Sequence, residues 1–324
     1  MLSQARGGRA VQYLIVLVVA ITLNFFLPRL MPGNPLALLA GVDVGLLKPE
    51  ERAQIIEGAG LDRPLGEQYL RYWGDLLQGD LGYSYRQKRP IVDLLLERLP
   101  WTLLLSGAAL LLSAVVGITT GAISAWRRAR AIDLGLLWTM IVVNSLPSFW
   151  LGMLLIAVVA VQLGLLPSFG AVTPASGYSG WTHVVDVLRH AILPVITLSV
   201  ISVPDIYLTM RYTMLGVLGE DFIRTARAKG LSERRILFAH VIPNALAPVV
   251  TVLTLRLGYA FGGAAVIETV FSYPGLGRLI FEAVSGRDYP VMQAAFLLFT
   301  VAVLLANLLA DFLYPLLDPR TKAA

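Results

Sequence analysis

The sequence predicts an all-α, polytopic membrane protein with six transmembrane helices. Of its 324 residues, 56% are hydrophobic and only 15% are charged, and the mean hydropathy is +0.71. Soluble domains are about 45–50% apolar and about 25% charged. The apolar residues form solid blocks that reach the roughly 20 residues a helix needs to cross a bilayer. A transmembrane barrel would instead alternate apolar and polar residues along each strand.

Six apolar blocks are long enough to be transmembrane helices: residues 11–30, 101–125, 134–163, 191–215, 242–270 and 291–317. The first block resembles a signal peptide, but no small-residue cleavage site follows it, so we interpret it as an uncleaved helix. The chain is therefore divided into the N-terminus with the first helix (1–30), an external segment (31–99), and a helical core (100–324) that contains a cytoplasmic loop at 216–241.

Basic residues are concentrated on one side of these helices. That side holds Arg6 and Arg9; Arg127, Arg128 and Arg130; Arg224, Arg227, Lys229, Arg234 and Arg235; and Arg320 and Lys322. The short loops on the other side hold only Arg189, Arg278 and Arg287. Because the positive side is cytoplasmic and long loops count little, we expect both termini in the cytoplasm. This placement explains the net charge of +5 without a nucleic-acid partner.

The 31–99 segment has its own structural signals. Helix-like stretches cover Pro49–Ala59 and Leu65–Leu77, and turn residues follow at Gly60, Pro64, Gly79-Asp80 and Arg89-Pro90. We expect a small ordered cap on the outer face of the membrane.

The loop at 216–241 reads as a short helix, a break and a second helix. Glu220 and Asp221 suit a helix N-terminus, and Arg227 and Lys229 suit its C-terminal end. Glu220 and Arg224 are four residues apart, which predicts a weak ion pair on one helix face.

The break falls at Gly230, which is placed to take the left-handed conformation that ends helices. Ser232 is then placed to cap the next helix. The sequence therefore predicts a rigid helix–turn–helix element in the cytosol. We call this element, residues 220–235, the knuckle.

The loop resembles the cytoplasmic signature of ABC importer permeases. That signature reads Glu-Ala-Ala, three residues, Gly, nine residues, then Ile-x-Leu-Pro, and Ala226, Gly230 and Pro243 occupy its expected places. The residues that replace its commoner members are typical of the peptide-importer branch: Arg224, Thr225, His240 and Ile242. Further segments similar to the first (B-type) permease of that family lie, in the family's order, at 61–70, 79–84, 146–152, 268–277 and 317–320.

The resemblance implies a type I ABC importer permease fold with an external cap between helices 1 and 2. It implies a bacterial inner-membrane assembly with a second (C-type) permease, two ATP-binding subunits and an external substrate-binding protein. The expected cargo is a peptide or a similar small polar solute. The residues implied to contact an ATP-binding subunit are Glu220, Asp221, Arg224, Thr225, Ala226, Arg227, Ala228, Lys229, Gly230 and Leu231; Ala226, Ala228 and Gly230 would permit close approach.

No part of the chain reads as an enzyme. A P-loop needs a Gly-Lys pair to hold phosphates, and the sequence contains none. We therefore expect no cofactor in this chain and ATP with Mg in the partner subunits. The chain has no cysteine, and its three histidines lack metal-ligand spacing, so we expect no metal or catalytic site. Gly177-Tyr178-Ser179-Gly180 imitates a protease motif but reads as a turn.

Ionisable residues inside a membrane are costly and are functional candidates by default. Asp205 and Arg256 lie in the fourth and fifth predicted helices. Our hypothesis is that they face the translocation path, paired or contacting substrate; a purely structural ion pair is the alternative. Glu268, near the outer end of the fifth helix, reads as structural or as part of an outer gate.

The rival functional class is an ion-gradient-driven secondary transporter. Such proteins are built from repeated halves, and the sequence shows no internal repeat.

Overall fold

The computed structural model describes residues 2–30, 36, 48–59 and 62–317, and most of these are helical. The first elements are α1 (Leu2–Leu30), α2 (Pro49–Ala59), α3 (Leu65–Leu77), and a two-residue antiparallel pair of β1 (Tyr83–Ser84) and β2 (Arg89–Pro90). The next are α4 (Ile91–Trp126), α5 (Ala131–Asn144), α6 (Ser148–Leu155) with a π-helical continuation (Ile156–Gln162), and α7 (Gly180–Leu218).

The C-terminal part begins with α8 (Asp221–Ala228) and the single turn α9 (Glu233–Arg235), which runs through a π-helical stretch (Ile236–Val241) into α10 (Ile242–Gly263). It ends with α11 (Ala265–Val270), α12 (Leu276–Gly286) and α13 (Tyr289–Leu317). The bounds of α2 and α3 are those predicted for the 31–99 segment. Most of 31–47, and the motif at 317–320 apart from Leu317, lie outside the described residues.

The membrane-spanning helices are recognised by length and hydropathy. Four qualify alone among the described residues: Ile91–Trp126, Gly180–Leu218, Glu233–Arg256 and Tyr289–Phe312. A bent pair, Ala131–Asn144 with Ser148–Gln162, makes a fifth if it is one span. The apolar part of α1, Val11–Phe26, is shorter than the roughly 20 residues that cross a bilayer. The described residues therefore support up to five membrane spans, where the sequence predicted six.

The prediction of one continuous helix over 134–163 is wrong. The chain bends by 97° between α5 and α6, with Pro147 at the position before α6. Proline disfavours helical geometry in the residue before it, so α5 ends and a new helix starts in a different direction. The uninterrupted hydropathy of this stretch conceals the bend.

The prediction of one helix over 242–270 also needs correction. The helix ends at Gly263 and α11 starts at Ala265. The break follows Gly262-Gly263, and glycine is costly inside helices because it loses the most backbone entropy on ordering. Elsewhere the helices extend beyond the apolar blocks: α4 and α7 begin at Ile91 and Gly180, since hydropathy marks the lipid-crossing part of a helix and not its ends.

The described residues fall into two units. One comprises the residues up to Trp101 together with Pro274–Leu304. In it, Asn24 and Gln293 exchange side-chain to backbone hydrogen bonds of 2.8 and 2.6 Å. Ser84 Oγ donates a hydrogen bond of 2.5 Å to Asp288 Oδ2, and burial raises the pKa of the Asp288 carboxyl.

The other unit comprises Thr102–Tyr273 together with the residues from Leu305 onward. Its α4 and α7 pack closely because α4 has glycine at Gly117 and Gly121. A Cβ atom at Gly117 would lie 2.7 Å from Ile206 Cβ, and one at Gly121 would lie 2.7 Å from the Tyr207 carbonyl oxygen. Small residues four apart permit this approach between membrane helices.

Candidate functional site

The helix α8 is anchored by two buried side chains. Ile223 is fully buried and Ala226 is 7% exposed. Both belong to an apolar cluster with residues of α4, α7, the π-helical stretch and α10; its other buried members are Ala125, Ile206, Met210, Met214, Ile236, Val241, Ala245 and Val249. The two are three residues apart on one helix face, and the half-buried Phe222 packs against the same cluster, whereas the polar residues of α8 are exposed.

Two predicted details of this loop differ from the structure. Ala226 was expected to permit approach by an ATP-binding subunit, but its side chain packs inside the chain itself. Arg224 pairs with Asp221 at 3.2 Å (Nη1 to Oδ1) and not with Glu220. Glu220 instead stands before the first turn with extended geometry (φ −70°, ψ 147°), so the two residues are not on one face of a continuous helix.

The end of α8 is a Schellman motif. Gly230 has a φ of +75°, its N–H donates to the Arg227 carbonyl at 2.9 Å, and the Leu231 N–H donates to the Ala226 carbonyl at 3.3 Å. These two bonds satisfy carbonyls that a helix end leaves open. The prediction of a left-handed glycine at this position is confirmed.

The second half of the knuckle is tied back to the first. Ser232 Oγ accepts a hydrogen bond from the Arg235 N–H at 3.4 Å, as predicted for a capping residue. Arg227 Nε donates to Glu233 Oε1 at 3.1 Å across the Gly230 turn. The chain therefore leaves α7, makes a closed turn of fixed geometry, and enters α10.

The outer face of the knuckle is exposed and carries charges of both signs. Its exposed residues are Glu220, Asp221, Arg224, Thr225, Arg227, Ala228, Lys229 and Gly230, and Leu231 is half-buried. No Cβ position on Gly230 would meet another atom within 4 Å. A partner could approach Ala228 and Gly230 without displacing anything in this chain.

Asp205 on α7 and Arg256 on α10 form an ion pair, with Arg256 Nη2 donating to Asp205 Oδ2. Their side chains are 52% and 29% exposed, so the pair lies on the surface of this chain and not in its core. Of the two arrangements in the hypothesis, direct pairing is the one observed.

Glu268 lies on α11 and is fully buried. Thr102 Oγ1 donates to Glu268 Oε1 at 2.6 Å, joining α11 to α4. This placement favours the structural interpretation of Glu268.

Sequence reasoning missed a second charged cluster. Arg211 on α7 donates to Asp133 on α5 through Nε (2.8 Å) and Nη2 (3.0 Å). Arg211 Nε also contacts Ser124 Oγ at 3.1 Å, and Ser124 Oγ is 2.7 Å from the Tyr207 hydroxyl. The signal was present, because Arg211 is an arginine inside the predicted span 191–215 and Asp133 stands next to the start of the third span.

The glycine-rich segment before α7 is an irregular connection: the turn in this region lies at Pro174 and Ala175, and 176–179 have no regular structure. Gly177 and Gly180 have φ values of +64° and +58°, and Ser179 precedes the first residue of α7 with extended geometry.

Two family profiles match the sequence. Residues 117–323 match the family described as binding-protein-dependent transport system inner membrane component, and residues 6–106 match the N-terminal part of such membrane components. The chain belongs to this permease family. The match covers α7 to α10 and thus the knuckle, which confirms the resemblance found in the sequence and favours an ABC importer permease over a gradient-driven transporter.

Individual relatives support the same assignment. The permease is 38% identical over 317 residues to the dipeptide transport system permease protein DppB of Escherichia coli, covering 93% of both chains. It is 39% identical to the di/tripeptide transport system permease protein DppB of Pseudomonas aeruginosa, again covering 93% of both chains. It is 38% identical to the oligopeptide transport system permease protein AppB of Bacillus subtilis, covering 95% and 96%.

Solved structures show the same fold at lower identity. The permease superimposes with a TM-score of 0.57 and 20% identity on a chain of the MetNI methionine ABC transporter in inward-facing conformations, covering 69% of this chain and 96% of that one. An amino acid ABC transporter gives a TM-score of 0.51 at 18% identity, with coverage of 69% and 94%. The type I importer permease fold is thereby confirmed.

Proposed function

We propose that the permease forms half of the translocation path of an ATP-driven importer, and that α8 docks on a separate ATP-binding subunit. The observation that carries this proposal is the construction of the knuckle: it is anchored inward by Ile223 and Ala226 and closed by the Gly230 turn. Its exposed face carries Arg224, Arg227 and Lys229. A rigid, exposed element with a buried apolar anchor, here called its apolar root, can transmit a displacement from a partner subunit to the helices behind it without itself deforming.

The packing of α8 determines which helices a displacement of α8 would move. The apolar root packs against residues of both α7 and α10, including Met210, Met214, Ala245 and Val249. Close-packed interiors transmit strain instead of absorbing it. When ATP-binding subunits close on bound ATP and Mg, displacement of α8 would therefore move α7 and α10 together.

Those two helices carry the proposed path residues. Asp205 and Arg256 join α7 to α10 and are exposed on this chain, and a charged pair facing lipid would be costly. We place the pair on the translocation path, where it meets water, solute or the second permease. Glu268 holds α11 against α4 and has a supporting role at the outer end of the path.

The proposed cargo is a peptide or a similar small polar solute delivered by an external binding protein. It follows from the relatives, whose names give dipeptide, di/tripeptide and oligopeptide transport. An Asp–Arg pair also suits a zwitterion, because it offers each charged end a partner.

The proposed assembly has a second, C-type permease, two ATP-binding subunits and the external binding protein, in a bacterial cytoplasmic membrane. Both termini and the 216–241 loop face the cytoplasm, and 31–99 faces outward. The distribution of Lys and Arg supports this orientation.

The test is purification of the permease from its native membrane in mild detergent, with identification of copurifying chains and an ATPase assay on the same sample. We expect two ATP-binding subunits, a second permease and ATPase activity. A lone chain or a homodimer without ATPase activity in several mild detergents would contradict the proposal. Uptake in cells should stop on ATP depletion and persist with an uncoupler; the reverse pattern would favour the gradient-driven transporter.

A further inference from the structure

The helix α3 has an apolar edge that nothing in the described chain covers. Leu70 is 71% exposed and Leu77 is 82% exposed. They are seven residues apart and therefore on nearly the same side of the helix, with the half-buried Trp73 between them. The charged side of the helix, roughly 100–160° away around its axis at 3.6 residues per turn, carries Arg71 and Asp75. We call Leu70, Trp73 and Leu77 the leucine edge.

The contacts of α3 fix its position along α1. The Tyr69 hydroxyl is 2.7 Å from Thr22 Oγ1, and Asn24 Nδ2 donates to the Tyr72 hydroxyl at 3.3 Å. Gln68 Oε1 accepts from Arg29 Nη2 at 3.2 Å. The ring of Phe25 packs against both tyrosines, with centroid distances of 5.2 and 5.5 Å.

These contacts place α3 at the depth of a membrane surface. Residues 22 to 29 are the end of the first apolar helix and span about 10 Å along it, at 1.5 Å per residue. The apolar stretch Val11–Phe26 ends within this interval. A bilayer's headgroup regions extend about 5–8 Å beyond each side of its 30 Å hydrocarbon core. The helix α3 therefore lies alongside the part of α1 that passes from hydrocarbon to headgroups.

We infer that α3 is an interfacial helix whose leucine edge inserts into the lipid at the outer end of α1. Tyr69, Tyr72 and Trp73 are residue types enriched at this depth of membrane proteins. An apolar edge opposite a charged face, lying about 5–10 Å into the headgroup and acyl boundary, is the pattern of helices that lie in the membrane plane. On α1, Leu23 and Leu30 are also exposed at these turns, so both helices present leucine side chains at the same depth. Lipid is the occupant that this shared depth favours over a protein partner, and the inference does not depend on the transported solute.

The absence of cysteine from the sequence makes the test direct. Leu70→Cys and Leu77→Cys variants, with Arg71→Cys as the matched control on the charged side, are labelled with an environment-sensitive fluorophore in the full assembly. The assembly with the unsubstituted chain gives the background from partner subunits. Each sample is reconstituted into phosphatidylethanolamine–phosphatidylglycerol nanodiscs and titrated with headgroup-proximal nitroxide lipids and with a water-soluble quencher.

The expected result is severalfold stronger quenching by nitroxide lipid at positions 70 and 77 than at 71, with the opposite order for the water-soluble quencher. Equal access of the water-soluble quencher to all three positions would overturn the inference, because the edge would then lie in solvent. Protection of 70 and 77 from both quenchers would also overturn it, since a protein would then cover the edge. ATPase activity of each labelled assembly verifies that the substituted chain has folded.

Discussion

Arg211 and Asp133 form a two-pronged ion pair that binds the C-terminal half of α7 to the first turn of α5. Their side chains are only 12% and 2% exposed. Asp133 also accepts from the Ala129 N–H at 2.9 Å, where Ala129 has a left-handed φ of 62°. The pair thus fixes the short loop after α4 at the end of the helix that leads to the knuckle.

Removing one partner should destabilise the permease strongly. Arg211→Gln leaves the Asp133 carboxylate buried without a cation, which typically costs about 3–5 kcal/mol. We expect a clear fall in the melting temperature of the detergent-solubilised protein, partly reversed in the double variant Asp133→Asn/Arg211→Gln. Arg89→Gln breaks the exposed Arg89–Glu97 pair and serves as the control, because exposed pairs contribute little. Equal effects of Arg211→Gln and Arg89→Gln would contradict the assigned role.

The glycines of α4 should differ sharply in their tolerance of a methyl group. Gly121→Ala brings a Cβ within 2.7 Å of the Tyr207 carbonyl oxygen on α7, whereas a Cβ at Gly107 on the same helix meets nothing within 4 Å. We expect Gly121→Ala to cost about 1–3 kcal/mol through overpacking. Gly107→Ala should leave the melting temperature unchanged or raise it, because alanine is the better helix former. Similar melting temperatures for the two variants would mean that α4 and α7 are farther apart than the structure shows.

The left-handed turn at Gly230 should matter for coupling beyond its cost in stability. Gly230→Ala introduces strain of about 1–2 kcal/mol without a steric clash. Gly79 is a matched control: its φ is +78°, and its Cβ position is equally open. We expect Gly230→Ala to lower the amount of solute imported per ATP hydrolysed and Gly79→Ala to leave that ratio intact. If both variants changed the ratio equally, the effect would be general strain, and α8 would not be the coupling element.

Neutralising the Asp205–Arg256 pair separates a path role from a structural one. Arg256→Gln or Asp205→Asn alone leaves one charge unpaired, so either role predicts slower uptake. The double variant leaves no unpaired charge. A path role predicts that its transport rate or range of solutes stays altered; recovery to the unsubstituted values would show that the pair is only structural. The surface pair Arg278–Glu282, neutralised in the same way, controls for loss of charge.

The sequence was most informative where local chemistry decides the structure. The bounds of α2 and α3 follow from the turn residues on either side of them. The left-handed conformation of Gly230 was predictable because few other residues accept a positive φ. The bend at Pro147 was missed because hydropathy is uniform across it. The direction of Ala226 was missed because an alanine suits an internal contact and an external one equally well.

The charged residues show more clearly which contacts the sequence alone could not predict. Asp205 and Arg256 stood out because each lies deep within an apolar block. Arg211 and Asp133 did not, since Arg211 lies near the end of the predicted fourth helix and Asp133 lies just before the predicted third one. Only the fold brings them together, because they are far apart in the sequence and belong to different helices.

The central claim is that α8 contacts an ATP-binding subunit, and a photo-crosslink from Ala228 tests it most directly. Ala228 is exposed, so a photoreactive amino acid at this position should leave the buried root at Ile223 and Ala226 intact. In native membranes we expect an adduct with an ATP-binding subunit whose yield changes with nucleotide. The exposed Trp181 at the other end of α7, substituted in the same way, should give no such adduct. An Ala228 probe that captures no ATP-binding subunit in any nucleotide state, while uptake remains active, would contradict the account.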